Sequence, residues 1–169
     1  VYTPTIVVTD LAGNRSTAVR GNKFTVDTDE PAAAIMTTPA KGSKINLRTP
    51  TLAGTGYDAA GGQLAIQIGR QTVTTTIDAN GLWTAQVAGL LAEGIYTSTL
   101  TITDTAGNPG PATEGNLFEV DLTPPQPPRL STTERAVVSA STTPSFSGTG
   151  EPGSTVSIFR DGSLVCAVV

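Results

Sequence analysis

Histidine is missing from these 169 residues, and cysteine occurs once, at Cys166. Ser-His and Cys-His catalysis and Cys/His zinc sites are therefore excluded within the sequence, and no disulfide can close inside it. Charge is scarce too: Asp, Glu, Lys and Arg make up 14%, with ten basic against fourteen acidic residues and a net charge of −4. The basic residues are scattered, so the electrostatic footprint of a nucleic-acid binder is lacking. No apolar run approaches the ~20 residues of a membrane-spanning helix, which argues against membrane insertion by this segment. Aromatic residues are only 5%.

What is present is 18 Gly and 12 Pro on a background of Thr and Val. That mixture suits short strands joined by turns. The sequence also repeats itself. Residues 1–31 and 95–125 align without a gap at an offset of 94 and share 15 of 31 positions, among them Thr-Asp-x-Ala-Gly-Asn, Gly-Asn-x-Phe and Val-Asp. A period of this size marks a tandem array. The expected division is 1–30 as the last strands of one repeat, 31–124 as a complete repeat and 125–169 as the opening of another. With no initiator Met, the chain reads as a window cut from a longer protein.

Within the complete repeat, strands are predicted at Ala34–Thr37, Thr49–Gly56 and Gln71–Ile77. Leu64, Ile66 and Ile68 alternate with Ala65, Gln67 and Gly69, giving one buried and one solvated face. Trp83, Ala85 and Val87 alternate in the same way. Asp78-Ala79-Asn80-Gly81 is predicted to be a hairpin turn through its Asn-Gly pair. Asp10-Leu11-Ala12-Gly13-Asn14 is a loop in which the Asp holds its own backbone. Thr143–Gly150 matches Thr49–Gly56 at the same offset of 94. The match then falls to an offset of 90, so the middle repeat has four extra residues in its Asp58–Gly62 loop, which is expected at the surface. Cys166 alternates with Leu164 and Val168 and is expected to be a small buried residue. About seven short strands with turn signals between them predict an all-β, two-sheet antiparallel sandwich.

The motifs Thr-Pro-Thr-Leu-x-Gly-Thr-Gly at 49–56, Asp-Ala-Asn-Gly-x-Trp at 78–83, Gly-x-Tyr-Thr through Thr-Asp-x-Ala-Gly-Asn at 94–108 and Phe-x-Val-Asp at 118–121 carry a resemblance. In this respect the sequence resembles the bacterial immunoglobulin-like repeats of giant secreted surface adhesins, of the biofilm-associated and type I-secreted kinds. The resemblance implies tandem immunoglobulin-like β-sandwich repeats with antiparallel Greek-key topology, exported to the bacterial cell surface. It places Tyr96, after Gly94, at the tyrosine corner of the fold, with Tyr2 as its counterpart.

Acidic residues concentrate at the repeat boundaries. At the first, the linker acids Asp27, Asp29 and Glu30 are expected to meet the pole built from the loops of Asp58 and Asp104. At the second, Asp121 and Glu151 are the candidates. Carboxylates converging there would suit Ca²⁺, which takes about six to eight oxygen ligands. The resemblance implies the same cofactor, bound at junctions to stiffen the array. The segment in which such repeats have further acids reads Thr38–Lys44 here, and Thr132–Arg135 in the next repeat. The same residues also have a purely structural reading: Asp10 and Asp104 cap turns, Asp27 and Asp121 solvate strand ends, and Pro124–Pro128 restricts bending by its fixed φ.

The function expected is that of a non-enzymatic stalk. Its partners are the neighbouring repeats, while other domains contact a host surface or biofilm matrix. Two alternatives are a glycan- or protein-binding module using the Asp58–Gly62 loop, and strand exchange between chains.

Overall fold

The computed structural model describes residues 1–131 and 145–169, and among them there is no helix. Thr132–Arg135, and Thr143 and Pro144 of the repeated motif, lie outside the described residues. The chain divides into two compact units, Val1–Leu122 and Thr123–Val169.

The first unit opens with β1 (Thr5–Ile6) and β2 (Val19–Arg20), an antiparallel pair. Single bridges at Tyr2–Phe24 and Thr9–Arg15 prolong the ladder in both directions. The sandwich follows: β3 (Ile35–Thr38), β4 (Lys44–Ile45), β5 (Thr51–Thr55), β6 (Gln63–Ile68), β7 (Gln71–Thr76), β8 (Leu82–Gln86), β9 (Gly94–Tyr96), β10 (Ser98–Thr103), β11 (Thr113–Glu114) and β12 (Phe118–Val120). One sheet has the order β3-β5-β8. A four-stranded sheet runs β11-β10-β6-β7, and a further three-stranded ladder has the order β4-β12-β9. Pairing is antiparallel throughout except for β4 on β12, which is parallel. The predicted sandwich is therefore present.

The alternating residues define its interior. Leu64, Ile66 and Ile68 of β6 are completely buried, and Trp83, Ala85 and Val87 face them from the other side of the core, which Leu52, Leu100 and Phe118 help to fill. Tyr96 packs at its edge, half-buried, with its ring stacked 6.1 Å from that of Phe118. Its hydroxyl donates to the Ala92 carbonyl at 3.1 Å, closing the expected tyrosine corner. One repeat earlier, Tyr2 and Phe24 stack in the same way, 5.6 Å apart.

Two local expectations are corrected. Asn80-Gly81 does not make a hairpin: the strand before it, β7, pairs with β6, and the strand after it, β8, pairs with β5. In a sandwich, consecutive strands can belong to opposite sheets, and this turn crosses between them. Asp78 shapes it by accepting the amides of Asn80 and Leu82, each at 2.8 Å. The two-residue hairpin lies instead at Gly69-Arg70, where Gly69 has φ 57°, a value suited to a glycine-first tight turn. The Asp58–Gly62 loop lies at the surface as expected, with Asp58, Ala60 and Gly61 exposed, but it is anchored from within. Ala59 is buried in the core, and Gly61 and Gly62 exchange backbone hydrogen bonds with Ile77.

The second unit contains β13 (Arg129–Leu130) paired with β14 (Gly148–Thr149), and β15 (Val156–Arg160) paired with β16 (Ser163–Val168). Cys166 lies on β16 and is exposed, contrary to expectation. Its strand pairs only with β15 among the described residues.

Candidate junction site

Asp104 closes the turn after β10. Its Oδ1 accepts the backbone N–H groups of Ala106, Gly107 and Asn108, each at 2.8 Å, and its Oδ2 accepts the Asn108 side-chain amide at 2.9 Å. The Asp104 N–H in turn donates to the Asn108 carbonyl at 3.0 Å. Asp10 builds the equivalent loop one repeat earlier, with Ala12 N–H at 3.0 Å, Asn14 N–H at 2.8 Å and the Asn14 side-chain amide at 3.0 Å. The structural reading of these two aspartates therefore holds.

The Asn108 side-chain hydrogen bond is the main cause holding the Asp104 carboxyl below its ordinary value of 3.8, and Asn14 does the same for Asp10. A carboxylate hydrogen-bonded in the folded state stabilises the fold above its unfolded pKa and loses that contribution as pH falls through its lower folded value. Asp104→Asn is therefore expected to flatten the acid side of the stability curve, below about pH 4. Urea midpoints measured against pH for parent and variant check this, and parallel curves would remove Asp104 from the acid transition.

The elements expected at the first junction do meet. A Cβ added to Gly62 would lie 3.2 Å from the Asp104 Cα, so the loop carrying Asp58 abuts the loop carrying Asp104. The linker reaches the same pole, because the Asn108 side-chain amide donates to the Asp27 carbonyl at 3.1 Å. The carboxylates themselves are employed differently. Asp27 Oδ1 accepts the Asp29 N–H at 3.2 Å, Asp29 and Glu30 are exposed, and Asp58 sits in a left-handed backbone conformation with φ 62°. Among the described residues, no three or more acidic, Cys or His side chains form a group that would hold a metal ion.

The acids expected at the second junction lie one in each unit. Asp121 Oδ2 is 3.5 Å from Lys44 Nζ, which also pairs with Glu119 at 3.0 Å. Those carboxylates, Glu119 foremost, raise the Lys44 pKa. A lysine thus holds a position beside Asp121 that a cation would contest. In the second unit, Glu151 Oε2 accepts the Gln126 N–H at 3.3 Å. The best-placed carboxylate, Asp104, is engaged by four donors of its own loop.

The bacterial Ig-like domain family model matches residues 37–122. This chain belongs to the bacterial Ig-like domain family. The matched segment runs from β3 to the end of the sandwich, so this Ig-like domain contains the Asp104 loop and the Lys44 ion pairs described above. Solved structures similar to the Ig-like chain come from ice-binding adhesins. One is a Ca²⁺-stabilized adhesin that helps an Antarctic bacterium reach out and bind ice, 28% identical over 76% of this chain and 34% of that one, TM-score 0.40. Another is a bacterial immunoglobulin-like domain from the M. primoryensis ice-binding adhesin, 28% identical over 55% of this chain and 94% of that one, TM-score 0.35. A third, from work on host cell surface retention of a 1.5-MDa bacterial ice-binding adhesin, is 29% identical over 69% of this chain and 39% of that one, TM-score 0.33. The Ig-like chain thus spans about a third of the first of these structures. Among curated proteins, none matches it.

Asn108 was not among the candidate residues read from the sequence. The signal that could have found it was the recurrence of Asn at 14 and 108 within the aligned loops.

Proposed function

We propose that the chain is a run of spacer repeats from a large bacterial surface protein, non-enzymatic, whose work is to hold other domains away from the cell. The observation that carries this reading is the correspondence of the repeats in three dimensions. The Tyr2–Phe24 stack and the Asp10–Asn14 loop are reproduced at Tyr96–Phe118 and Asp104–Asn108, 94 residues on. A fold copied with its pole loop intact, around a filled hydrophobic core, is built for length. The repeat boundaries that go with the reading are 1–30, 31–124 and 125–169.

The binding-module alternative draws on the exposed Tyr57 beside the Asp58–Gly62 loop. Glycan-array and cell-binding assays on the whole chain separate the two. A spacer is silent in both, and a saturable signal lost on Tyr57→Ala would favour the module. A stalk does not require calcium at its junctions, so the ion is tested apart from the spacer reading. A melting temperature that rises in millimolar Ca²⁺ relative to chelator would assign the ion to the linker acids, and coincident curves would remove it.

A further inference from the structure

Resting on the tandem-spacer reading, we infer that Asn108 and Gly110 form a docking surface for the linker that joins the preceding repeat to this one, residues 27–31, and that this protein contact sets the first junction without a metal. Asn108 spends both side-chain amide hydrogens, one on Asp104 Oδ2 at 2.9 Å and one on the Asp27 carbonyl at 3.1 Å. The first bond, with the Asn108 N–H donating to Asp104 Oδ1 at 2.8 Å, fixes the direction of the second. The amide is presented by a closed loop rather than by a rotating side chain, which reduces the entropy lost in making the contact.

Two residues further on, the linker is seated. Pro31 is buried, and a Cβ added to Gly110 would come within 2.7 Å of its carbonyl oxygen and 3.1 Å of its Cγ. Gly110 is itself held by donating its N–H to the Ile102 carbonyl at 2.8 Å. Beyond the seat, Thr113 Oγ1 donates to the Ala34 carbonyl at 2.9 Å, so the chain is gripped until it enters β3. The asparagine recurs at Asn14, whereas Ser16 stands where Gly110 does, 94 residues earlier. The asparagine and its bond to the loop aspartate are thus the shared part of the device, and the close seat of Pro31 is particular to this junction. Because the acceptor is a backbone carbonyl, the clasp does not depend on the acids of the linker.

The test is a distance distribution by pulsed electron resonance in the full chain, with nitroxides at Lys23→Cys and Gln67→Cys in a Cys166→Ser background. The parent is expected to give one narrow distribution, the same in millimolar Ca²⁺ and in chelator. Asn108→Ala, which removes the donor, and Gly110→Ala, which crowds Pro31 but leaves the Asp104 loop intact, are each expected to broaden and shift it. Melting of the 31–122 domain reports whether each variant is folded. A parent distribution that is broad in chelator and narrows with Ca²⁺ would overturn the inference, as would folded variants with unchanged distributions. Failure of the spacer reading shows elsewhere, as ligand binding, and leaves these distances untouched.

Discussion

Gly54→Ala is expected to abolish the cooperative unfolding transition of the sandwich, or to lower its stability by about 3 kcal/mol or more, the upper end of overpacking costs. Gly54 is buried in β5, the central strand of its sheet, where its Cα partners are Met36 on β3 and Trp83 on β8. An added Cβ would lie inside the van der Waals shell of the Ile35 carbonyl oxygen and 2.6 Å from Trp83 Cζ2. The indole can turn only by disturbing the core, and the carbonyl belongs to a paired strand. Relief therefore requires β3 to separate from β5. A domain of this size has about 5–15 kcal/mol of stability in all, so the loss is a large fraction of it. Trp83 is the single tryptophan, so its fluorescence in a urea titration reports the change. A midpoint close to that of the parent would show that β3 can retreat. The same geometry recurs in the second unit, where a Cβ on Gly148 would meet the Arg129 carbonyl oxygen. That recurrence supplies a physical reason for the glycine in the Thr49–Gly56 motif and its repeat.

The parts of the fold legible in the sequence are those whose cause is local or periodic. Alternation at Leu64–Ile68 and at Trp83–Val87 identified buried faces because a strand exposes every second residue to the same side. Gly94 and Tyr96 identified the corner because the phenol reaches a carbonyl only four residues back. The Asn80-Gly81 assignment failed because a turn signal does not say whether its flanking strands share a sheet. β4 escaped notice because two residues carry no period, and its support comes from β12 and the Lys44–Glu119 pair, 75 residues apart. At the candidate site, the gathering of acids near the boundary was legible, but the use of their lone pairs was not. Asp104 looks like any other carboxylate in a sequence, and only the closed loop shows four donors already upon it. The clasp was hidden for a further reason. Its acceptor is the backbone of Asp27, 81 residues away, and a carbonyl has no sequence signature.

Phe118→Ala is expected to cost about 3–5 kcal/mol, the range for deleting a buried aromatic side chain. Phe118 is completely buried and is the largest of the fully buried side chains. It lies on β12, the strand that joins β4 on one side to β9 on the other. Removing the ring also strips Tyr96 of its stacking partner, so the corner bond to Ala92 loses the packing that orients it. With unfolding entropy scaling by size, each kcal/mol corresponds to about 4–8 °C in melting temperature, and the variant should melt tens of degrees lower. Trp83→Phe is the informative contrast. Trp83 is almost as deeply buried, but its indole Nε1 has no hydrogen-bond partner among the described residues, so replacing it removes volume together with that donor. Its cost is expected to fall well below that of Phe118→Ala, because the two effects oppose each other. Calorimetry of both variants in the full chain tests the ordering. If Trp83→Phe proved the more damaging, indole packing against Gly54, and not the Phe118–Tyr96 stack, would be the dominant element of this core.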